Sequence, residues 1–184
     1  LTKITTVKLD TDKLSVSKEA KKRGSGYLNV ALFGVDSRDN DLDKGTRSDT
    51  IMIASLNKKT MKVKIASIYR DTLSEQEDGT LNKINAAYSY GGPEGALSVL
   101  NKNLDMNIEH YVTVNFNSMI DIVDSVGGID IDVQEDEMPY ICGYVQEIMK
   151  VTGKLSPGVT EPGTQTLNGV QATAYARIRY TAGD

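Results

Sequence analysis

The stretch Tyr27-Leu28-Asn29-Val30-Ala31-Leu32-Phe33-Gly34 has the length and apolar character of a buried β-strand, and a polar loop that contains Asp36 follows it directly. Residues 50–56 and 62–69 are two further β-patterned segments, separated by a turn-like connection at 57–60. These two segments predict a β-hairpin. Apolar residues alternate in the second segment, so we expect it to be a half-buried strand.

Helical and extended patterns alternate through the rest of the chain. Strands are predicted at 110–116 and 129–133, and helices at 82–90, 93–104, from the cap Asn117 onwards, and from the cap Asn168 to about Arg177. A helix, a hairpin or a mobile flap would each fit residues 134–167. Residues 1–26 predict an edge strand or a linker. This order predicts a layered α-β-α fold of the α/β class with a central mixed β-sheet, in a domain spanning 27–184.

Composition excludes several classes of protein. The chain has 184 residues, enough for one domain with a sizeable core, and a formal net charge of −4 with a pI near 5.1. This acidity argues against a nucleic-acid partner, which requires a basic face. The single cysteine, Cys142, excludes an intramolecular disulfide and a cysteine-based zinc site. No apolar run is long enough for a membrane span.

The arginines are unevenly placed, whereas the lysines are scattered along the chain. Five of the six arginines lie in three short polar clusters next to apolar runs: Arg38, Arg47, Arg70, Arg177 and Arg179. The planar guanidinium group is favoured over lysine where a phosphate or carboxylate is held in two places. The partition therefore indicates a local anion site in an acidic protein.

Simpler explanations compete for several of these residues. Arg47 beside Asp49, and Arg70 beside Asp71, could be surface salt bridges worth about 0–1 kcal/mol. Asp36 could be a turn residue, since three more aspartates follow it in the same loop. The pair Arg177 and Arg179 has no acidic neighbour in sequence, so an anion between the two groups is the sharper prediction.

No nucleophile in this sequence has a histidine base beside it. The single histidine, His110, is expected to be a packed core residue, and Cys142 is expected to be inert. Carboxylates, several arginines and no histidine base indicate metal-assisted phosphoryl chemistry. Magnesium is commonly held by one or two carboxylates, and arginines then neutralise the charge on the phosphate oxygens.

At these residues the chain resembles the LytR-CpsA-Psr family of cell-envelope glycopolymer phosphotransferases. The matching stretches occur in order from about residue 27 to the C-terminus: Phe33-Gly34-Val35-Asp36-Ser37-Arg38, Arg47-Ser48-Asp49-Thr50-Ile51-Met52, Arg70-Asp71-Thr72, Lys83-Ile84-Asn85-Ala86-Ala87-Tyr88, Gly91-Gly92-Pro93-Glu94, Val114-Asn115-Phe116, Asp124-Ser125-Val126-Gly127-Gly128-Ile129-Asp130, Leu167-Asn168-Gly169 and Ala174-Tyr175-Ala176-Arg177-Ile178-Arg179-Tyr180.

The resemblance implies a site and a cofactor. Asp36 and Asp49 match the carboxylates that hold Mg²⁺, with Mn²⁺ as the alternative cation. The arginines around the pyrophosphate are matched by Arg47, Arg70, Arg177 and Arg179, with Arg38 as a further binding residue. The family continues past the last Gly-Asp with another arginine and a glutamine, so the catalytic domain is expected to be truncated at Asp184. Tyr69 also stands where the family commonly has proline.

The resemblance also implies an activity and a place in the cell. Such proteins transfer a glycopolymer, such as teichoic acid or capsular polysaccharide, from a polyprenyl pyrophosphate carrier to peptidoglycan. They are extracytoplasmic domains held at the cell membrane of Gram-positive-type envelopes by an N-terminal helix, which this chain does not contain. Two alternatives remain open: a polyprenyl pyrophosphate pyrophosphatase, and a non-catalytic module that binds polyprenyl phosphates or regulates.

Overall fold

The computed structural model describes residues 5–36, 45–179 and 181. The chain divides into two compact units, Thr5–Asn115 and a second that begins at Phe116. Arg38 lies outside the described residues. Among those that are described, no helix is both long enough and apolar enough to cross a bilayer.

The first unit contains a four-stranded mixed sheet of strands β1 (Tyr27–Val35), β2 (Ser48–Asn57), β3 (Val63–Ile68) and β6 (His110–Val114). Their order across the sheet is β3-β2-β1-β6. The pairs β1–β2 and β2–β3 are antiparallel, and β1–β6 is parallel. The predicted hairpin is β2–β3, and the predicted fold class, α/β with a central mixed sheet, is confirmed.

One face of this sheet packs against helix α2 (Ala86–Leu104). Ala31, Phe33 and Val35 alternate along β1 with 4% exposure or less, and the ring of Phe33 meets the buried ring of Tyr88 edge-on at 5.1 Å. The helix is broken at Gly92, whose φ of 64° and ψ of −158° suit only glycine. The two predicted helices are thus one element with a break at the predicted glycine pair.

The N-terminal segment is neither an edge strand nor a linker in its described part. It forms a 3₁₀ turn (Thr11–Lys13) and helix α1 (Lys18–Gly24), each capped by a polar side chain that precedes it. Leu14 between them is fully buried, and its carbonyl accepts a hydrogen bond of 2.9 Å from Asn101 Nδ2. The N-terminal segment is therefore helical, and its buried apolar residue packs against the core of the first unit.

Three other predictions for this unit are wrong. Strand β3 is not half-buried, because Val63 and Ile65 are 57% and 63% exposed. The start of the predicted helix 82–90 is instead strand β5 (Leu81–Lys83), which pairs antiparallel with β4 (Leu73–Glu75). His110 is exposed at the start of β6 and is not a core residue.

The second unit has its own core beneath a two-stranded antiparallel sheet. Its elements are α3 (Phe116–Ser125), β7 (Ile129–Val133), α4 (Met138–Thr152), β8 (Gly163–Leu167) and α5 (Gly169–Tyr175). The segment 134–167 therefore supplies helix α4 and then strand β8, which pairs antiparallel with β7 across that helical connection. Helix α5 begins at the predicted cap Asn168 with a full capping box, whereas α3 begins one residue before the predicted cap Asn117.

Candidate anion-binding site

A β-bulge places the carboxylate of Asp49. Gly34 of β1 lies opposite Thr50 of β2, but the next pair is Val35 with Ser48, so Asp49 is an extra residue in β2. A bulge bends its strand and redirects a side chain. Ser48 is fully buried while Asp49 is exposed. Asp36 follows Val35 directly, so both carboxylates lie at the same end of the β1–β2 pair.

Arg70 reaches the bulge from the neighbouring strand. It lies two residues beyond the end of β3, and its Nη1 donates a hydrogen bond to Asp49 Oδ1 at 2.6 Å. The two side chains are 53% and 51% exposed, which leaves part of each available to a ligand. The simpler explanation paired Arg70 with its neighbour Asp71, and the structure gives it a different partner.

Asp71 belongs to the same charged cluster. Lys83 Nζ lies 2.6 Å from Asp71 Oδ1. The hydrogen bond from Lys83 is the largest cause that holds the pKa of Asp71 below its ordinary value, and the positive charges of Lys83, Arg70 and Arg47 lower it further. Arg47 and Arg70 are therefore both near enough to Asp71 to act on it electrostatically.

Three buried oxygens near this cluster have no hydrogen-bond partner among the described residues: Thr46 Oγ1, Ser48 Oγ and Asn85 Oδ1. Thr46 and Ser48 flank Arg47, and the Asn85 amide donates to the Arg70 carbonyl at 3.3 Å. Buried polar atoms without partners are uncommon and mark places where a ligand or water completes the bonding. In the sequence, the only indication of a role for Asn85 was that it lies in one of the stretches that match the family.

The donor set fits a hard divalent cation. Asp36, directly after β1, and Asp49, in β2, supply two carboxylates at one end of a strand pair, and no group of three or more metal-ligating side chains occurs within the described residues. Mg²⁺ needs only one or two carboxylates, since water and phosphate oxygens complete its octahedron. Asp36 and Asp49 would therefore bind Mg²⁺ more tightly when a phosphorylated ligand supplies further oxygen ligands than when the ion binds without one.

In the second unit, Arg177 is held by three side chains. Its Nη2 donates to Glu147 Oε1 at 3.1 Å, and its guanidinium lies 5.4 Å from the ring centre of Phe116 and 5.2 Å from that of Tyr144. Glu147 is thirty positions away in the chain, so sequence adjacency did not reveal it. The aromatic faces favour the charged planar group and fix its orientation.

Arg179 has backbone partners only among the described residues. Its Nη1 donates to the Ile178 carbonyl at 2.7 Å and to the Ala176 carbonyl at 3.4 Å. The prediction that Arg177 and Arg179 enclose an anion stays a prediction. Cys142 is half-buried, and its thiol donates to the Val159 carbonyl at 3.2 Å, an ordinary packing role.

Fold and site together define a mixed α/β protein with carboxylates and arginines at a strand end, a class suited to phosphorylated ligands. The chain belongs to the LytR_cpsA_psr family, whose model matches residues 2–184. Two relatives are named as polyisoprenyl-teichoic acid–peptidoglycan teichoic acid transferases. TagU of Bacillus cereus is 39% identical over 169 residues, covering 89% of this chain and 48% of TagU. TagV of Bacillus subtilis is 35% identical over 155 residues, covering 83% of this chain and 37% of TagV.

Solved structures of the same family share the fold. TagT bound to LI-WTA superposes with a TM-score of 0.65 at 28% identity, covering 86% of this chain and 57% of that one. TagT with bound octaprenyl pyrophosphate lipid gives a TM-score of 0.64 at 28% identity, covering 85% of this chain and 58% of that one. The chain thus spans less than half the length of the curated relatives TagU and TagV.

Proposed function

We propose that this chain is the catalytic domain of a glycopolymer phosphotransferase. The donor is a teichoic acid, capsular or related polysaccharide on a polyprenyl pyrophosphate carrier, and the acceptor is peptidoglycan. The observation that carries the proposal is the ion pair of Asp49 and Arg70, with Asp36 and Arg47 at the same strand ends. The names of TagU and TagV and the octaprenyl pyrophosphate bound by TagT support the substrate class.

Each charged residue has a role in this proposal. Asp36 and Asp49 hold Mg²⁺ or Mn²⁺, which would neutralise charge on the diphosphate oxygens when bound. Arg70 gives up part of its contact with Asp49 and donates hydrogen bonds to a phosphate oxygen, and Arg47 binds the phosphate beside it. The family resemblance extends pyrophosphate binding to Arg177 and Arg179, and to Arg38 as an additional binding residue.

The reaction exchanges one phosphorus–oxygen bond for another. The oxygen of a peptidoglycan hydroxyl bonds to the phosphorus next to the glycan and loses its proton, while the bond from that phosphorus to the bridging oxygen breaks. Polyprenyl phosphate leaves with the bridging oxygen. The arginines stabilise the negative charge that develops on the leaving phosphate, which supplies much of the rate in phosphoryl transfer.

Chemistry with these substrates belongs outside the cytoplasm, where peptidoglycan is assembled on the membrane surface. We therefore propose an extracytoplasmic domain held at the cell membrane of a Gram-positive-type envelope. The polyprenyl carrier is itself a membrane lipid, so its pyrophosphate is presented at that surface. Nucleic acid is not a proposed partner, because the chain carries a net charge of −4.

A labelled polyprenyl-pyrophosphoryl oligosaccharide tests the proposal. It is incubated with the protein, with and without peptidoglycan fragments, in Mg²⁺ and in EDTA. Label that joins peptidoglycan only when Mg²⁺ is present supports the transferase. Label released as free phosphorylated glycan, equally without peptidoglycan, supports the pyrophosphatase instead. Tight binding of the lipid with no turnover in any arm supports the non-catalytic module.

A further inference from the structure

A cavity of about 190 Å³ lies in the first unit, between the turn that joins β4 to β5 and helix α2. Its walls combine carboxylates, an amide, a tyrosine ring and glycine backbone: Glu77, Asp78, Asn82, Tyr90, Gly91 and Gly95, among others. This volume equals roughly six water molecules at about 30 Å³ each, which is room for one small organic ring. The proposed roles of the arginines and the metal carboxylates leave this cavity unused.

The β5 wall of the cavity is joined to the candidate anion-binding site. Asn82 lies in β5 directly before Lys83, and Lys83 Nζ lies 2.6 Å from Asp71 Oδ1. Asp71 is the carboxylate on which the charges of Arg47 and Arg70 act. One step along a single strand therefore leads from the cavity wall to the charged cluster.

The helix wall is joined to the same site. Tyr90 directly follows Ser89 in α2, and the Ser89 carbonyl accepts a hydrogen bond of 3.3 Å from the Gly45 amide. Gly45 lies two residues before Arg47. Because both walls are tied to the candidate site, a ligand in the cavity lies beside a phosphate bound by Arg47 and Arg70.

An aromatic ring and bare backbone give the cavity an apolar surface. Tyr90 is 71% exposed although it lies within α2. Gly91 and Gly95 place no side chain beside this ring, and a Cβ on them would lie 3.8 Å and 3.7 Å from Glu77 Oε2. Glycine backbone thus brings the Glu77 carboxylate into contact distance of the helix. An exposed ring with a few convergent polar groups is suited to a small ligand that has one apolar face.

The polar groups of the cavity match an uncharged ligand that is rich in hydroxyl groups. Glu77 has no hydrogen bond or ion pair with another described residue, so its carboxylate can accept from a ligand. Asn82 Oδ1 accepts the Lys83 amide at 2.8 Å, which leaves Asn82 Nδ2 to donate. A hydroxyl group both donates and accepts, so a ring with several hydroxyls satisfies Glu77 and Asn82 together. A phosphate in the cavity would be repelled by Glu77 and Asp78.

We propose that this cavity binds one sugar ring of the peptidoglycan acceptor and holds it beside the diphosphate site. Tyr90 covers the apolar face of the ring, Glu77 accepts from one hydroxyl group and Asn82 donates to another. The inference rests on the proposed function, in which two glycans must meet at one phosphorus. The donor is placed by its pyrophosphate on the arginines, whereas the acceptor sugar brings no phosphate and requires an uncharged subsite next to them.

Binding of an uncharged sugar oligomer tests the cavity without any turnover. The probe is the tetramer of N-acetylglucosamine, which carries neither phosphate nor lipid, and its affinity for the chain is measured by calorimetry. Tyr90→Ala should weaken binding about fivefold to tenfold, whereas Tyr90→Phe keeps the ring and should bind within about twofold of the unaltered chain. Glu77→Gln should weaken binding about threefold or more, because a charged acceptor is lost. Circular dichroism verifies that each variant is folded.

Two matched controls remove the same groups outside the cavity. Tyr27→Ala removes a ring that is 42% exposed at the start of β1, and Glu19→Gln removes an exposed carboxylate of α1. Both should bind the tetramer as the unaltered chain does. No binding of the tetramer to the unaltered chain, or equal affinities for Tyr90→Ala and Tyr27→Ala, would overturn the proposal.

Transfer kinetics separate the acceptor from the donor. With a labelled polyprenyl-pyrophosphoryl oligosaccharide, Tyr90→Ala should raise the KM for peptidoglycan fragments about fivefold to tenfold and leave the KM for the lipid unchanged. A rise in the KM for the lipid alone would assign the cavity to the donor glycan and overturn the acceptor assignment. If the unaltered chain transfers label to no acceptor, the proposed function fails, whereas loss of tetramer binding in Tyr90→Ala would still support a sugar-binding cavity.

Discussion

Arg70 donates a hydrogen bond of 2.6 Å to Asp49, linking the end of β3 to the bulge in β2. Asp49 is proposed to bind the metal and Arg70 is proposed to bind the diphosphate. Because they are hydrogen-bonded, each residue holds the other in place before the substrate binds. Both side chains are about half exposed, and an exposed pair contributes only about 0–1 kcal/mol to folding. Stability therefore gives little reason for this pair, whereas the proposed function gives each of its residues a role.

The first prediction concerns Arg70. Arg70→Ala should lower turnover of a lipid-linked glycan by about 10²–10³-fold, because one preorganised donor to the phosphate is removed. Arg70→Lys should recover only part of this, since lysine keeps the charge but not the planar pair of donors. The unfolding free energy, measured with urea, should change by less than about 1 kcal/mol.

Lys102→Ala is the matched control for Arg70. It removes another exposed cation that forms an ion pair, with Glu75 at 2.9 Å, away from the candidate site. We expect it to leave turnover unchanged. Turnover by Arg70→Ala at the level of this control would contradict the role of Arg70.

A second prediction concerns the acidic partner of Arg177. Glu147→Gln removes the carboxylate that competes with an anionic ligand for the guanidinium, while Phe116 and Tyr144 still orient the group. Affinity for a prenyl pyrophosphate, measured by calorimetry, should therefore stay the same or rise. Arg177→Ala should lower it at least tenfold. A tenfold loss in Glu147→Gln would mean that the ion pair, and not the free arginine, is what the ligand requires.

Sequence reasoning was strongest where a local pattern has one physical explanation. The apolar run of β1, the β2–β3 hairpin and the cap at Asn168 were predicted because alternation and capping are local properties. The bulge at Asp49 was not predicted, since it depends on how β1 and β2 pair over their whole length. Asp49 was recognised through the family-like stretch, not through its geometry.

Errors arose where tertiary contacts decide between alternatives. The residues before Tyr27 were expected to form an edge strand or a linker, yet the capping side chains of Asp10 and Ser17 start helical turns that bury Leu14. The same limit applies to charged pairs. Adjacency suggested Arg70 with Asp71, whereas the folded chain pairs Arg70 with Asp49 and Asp71 with Lys83.

A third prediction tests that N-terminal packing. Leu14 is fully buried in the core of the first unit, so Leu14→Ala should reduce the unfolding free energy by about 2–5 kcal/mol. Chemical denaturation measures the change, with Val7→Ala as the control because Val7 is 51% exposed in the same segment. A loss as small as that of the control would show that the segment is the linker that its composition suggested.

The fourth prediction is a pH effect. Burial raises the pKa of Tyr175 above its ordinary value of 10.0, and the hydrogen bond and charge of Glu137 raise it further. Between about pH 10 and the folded-state pKa, the unfolded chain loses this proton and the folded chain keeps it, so stability falls as pH rises. Tyr175→Phe lacks this component. The unfolding free energy of Tyr175→Phe, measured with urea, should therefore be lower than that of the unaltered chain by an amount that shrinks from pH 8 to pH 11. A constant difference would contradict the raised pKa of Tyr175.

The last prediction concerns the contact between α3 and α5. A Cβ at Gly169 would lie 2.3 Å from the backbone oxygen of Ile120, so the two helices can approach only if this position lacks a side chain. Gly169→Ala should lower the unfolding free energy by about 1–3 kcal/mol, because the clash is with rigid backbone.

Gly143 in α4 has open space around it, so Gly143→Ala should be neutral or stabilise by about 0.5–1 kcal/mol through its helix propensity. The midpoint of thermal denaturation should therefore fall clearly in Gly169→Ala and stay the same or rise in Gly143→Ala. Equal shifts would mean that α5 can move away from α3 at little cost, and that the close approach at Gly169 does not hold the second unit together.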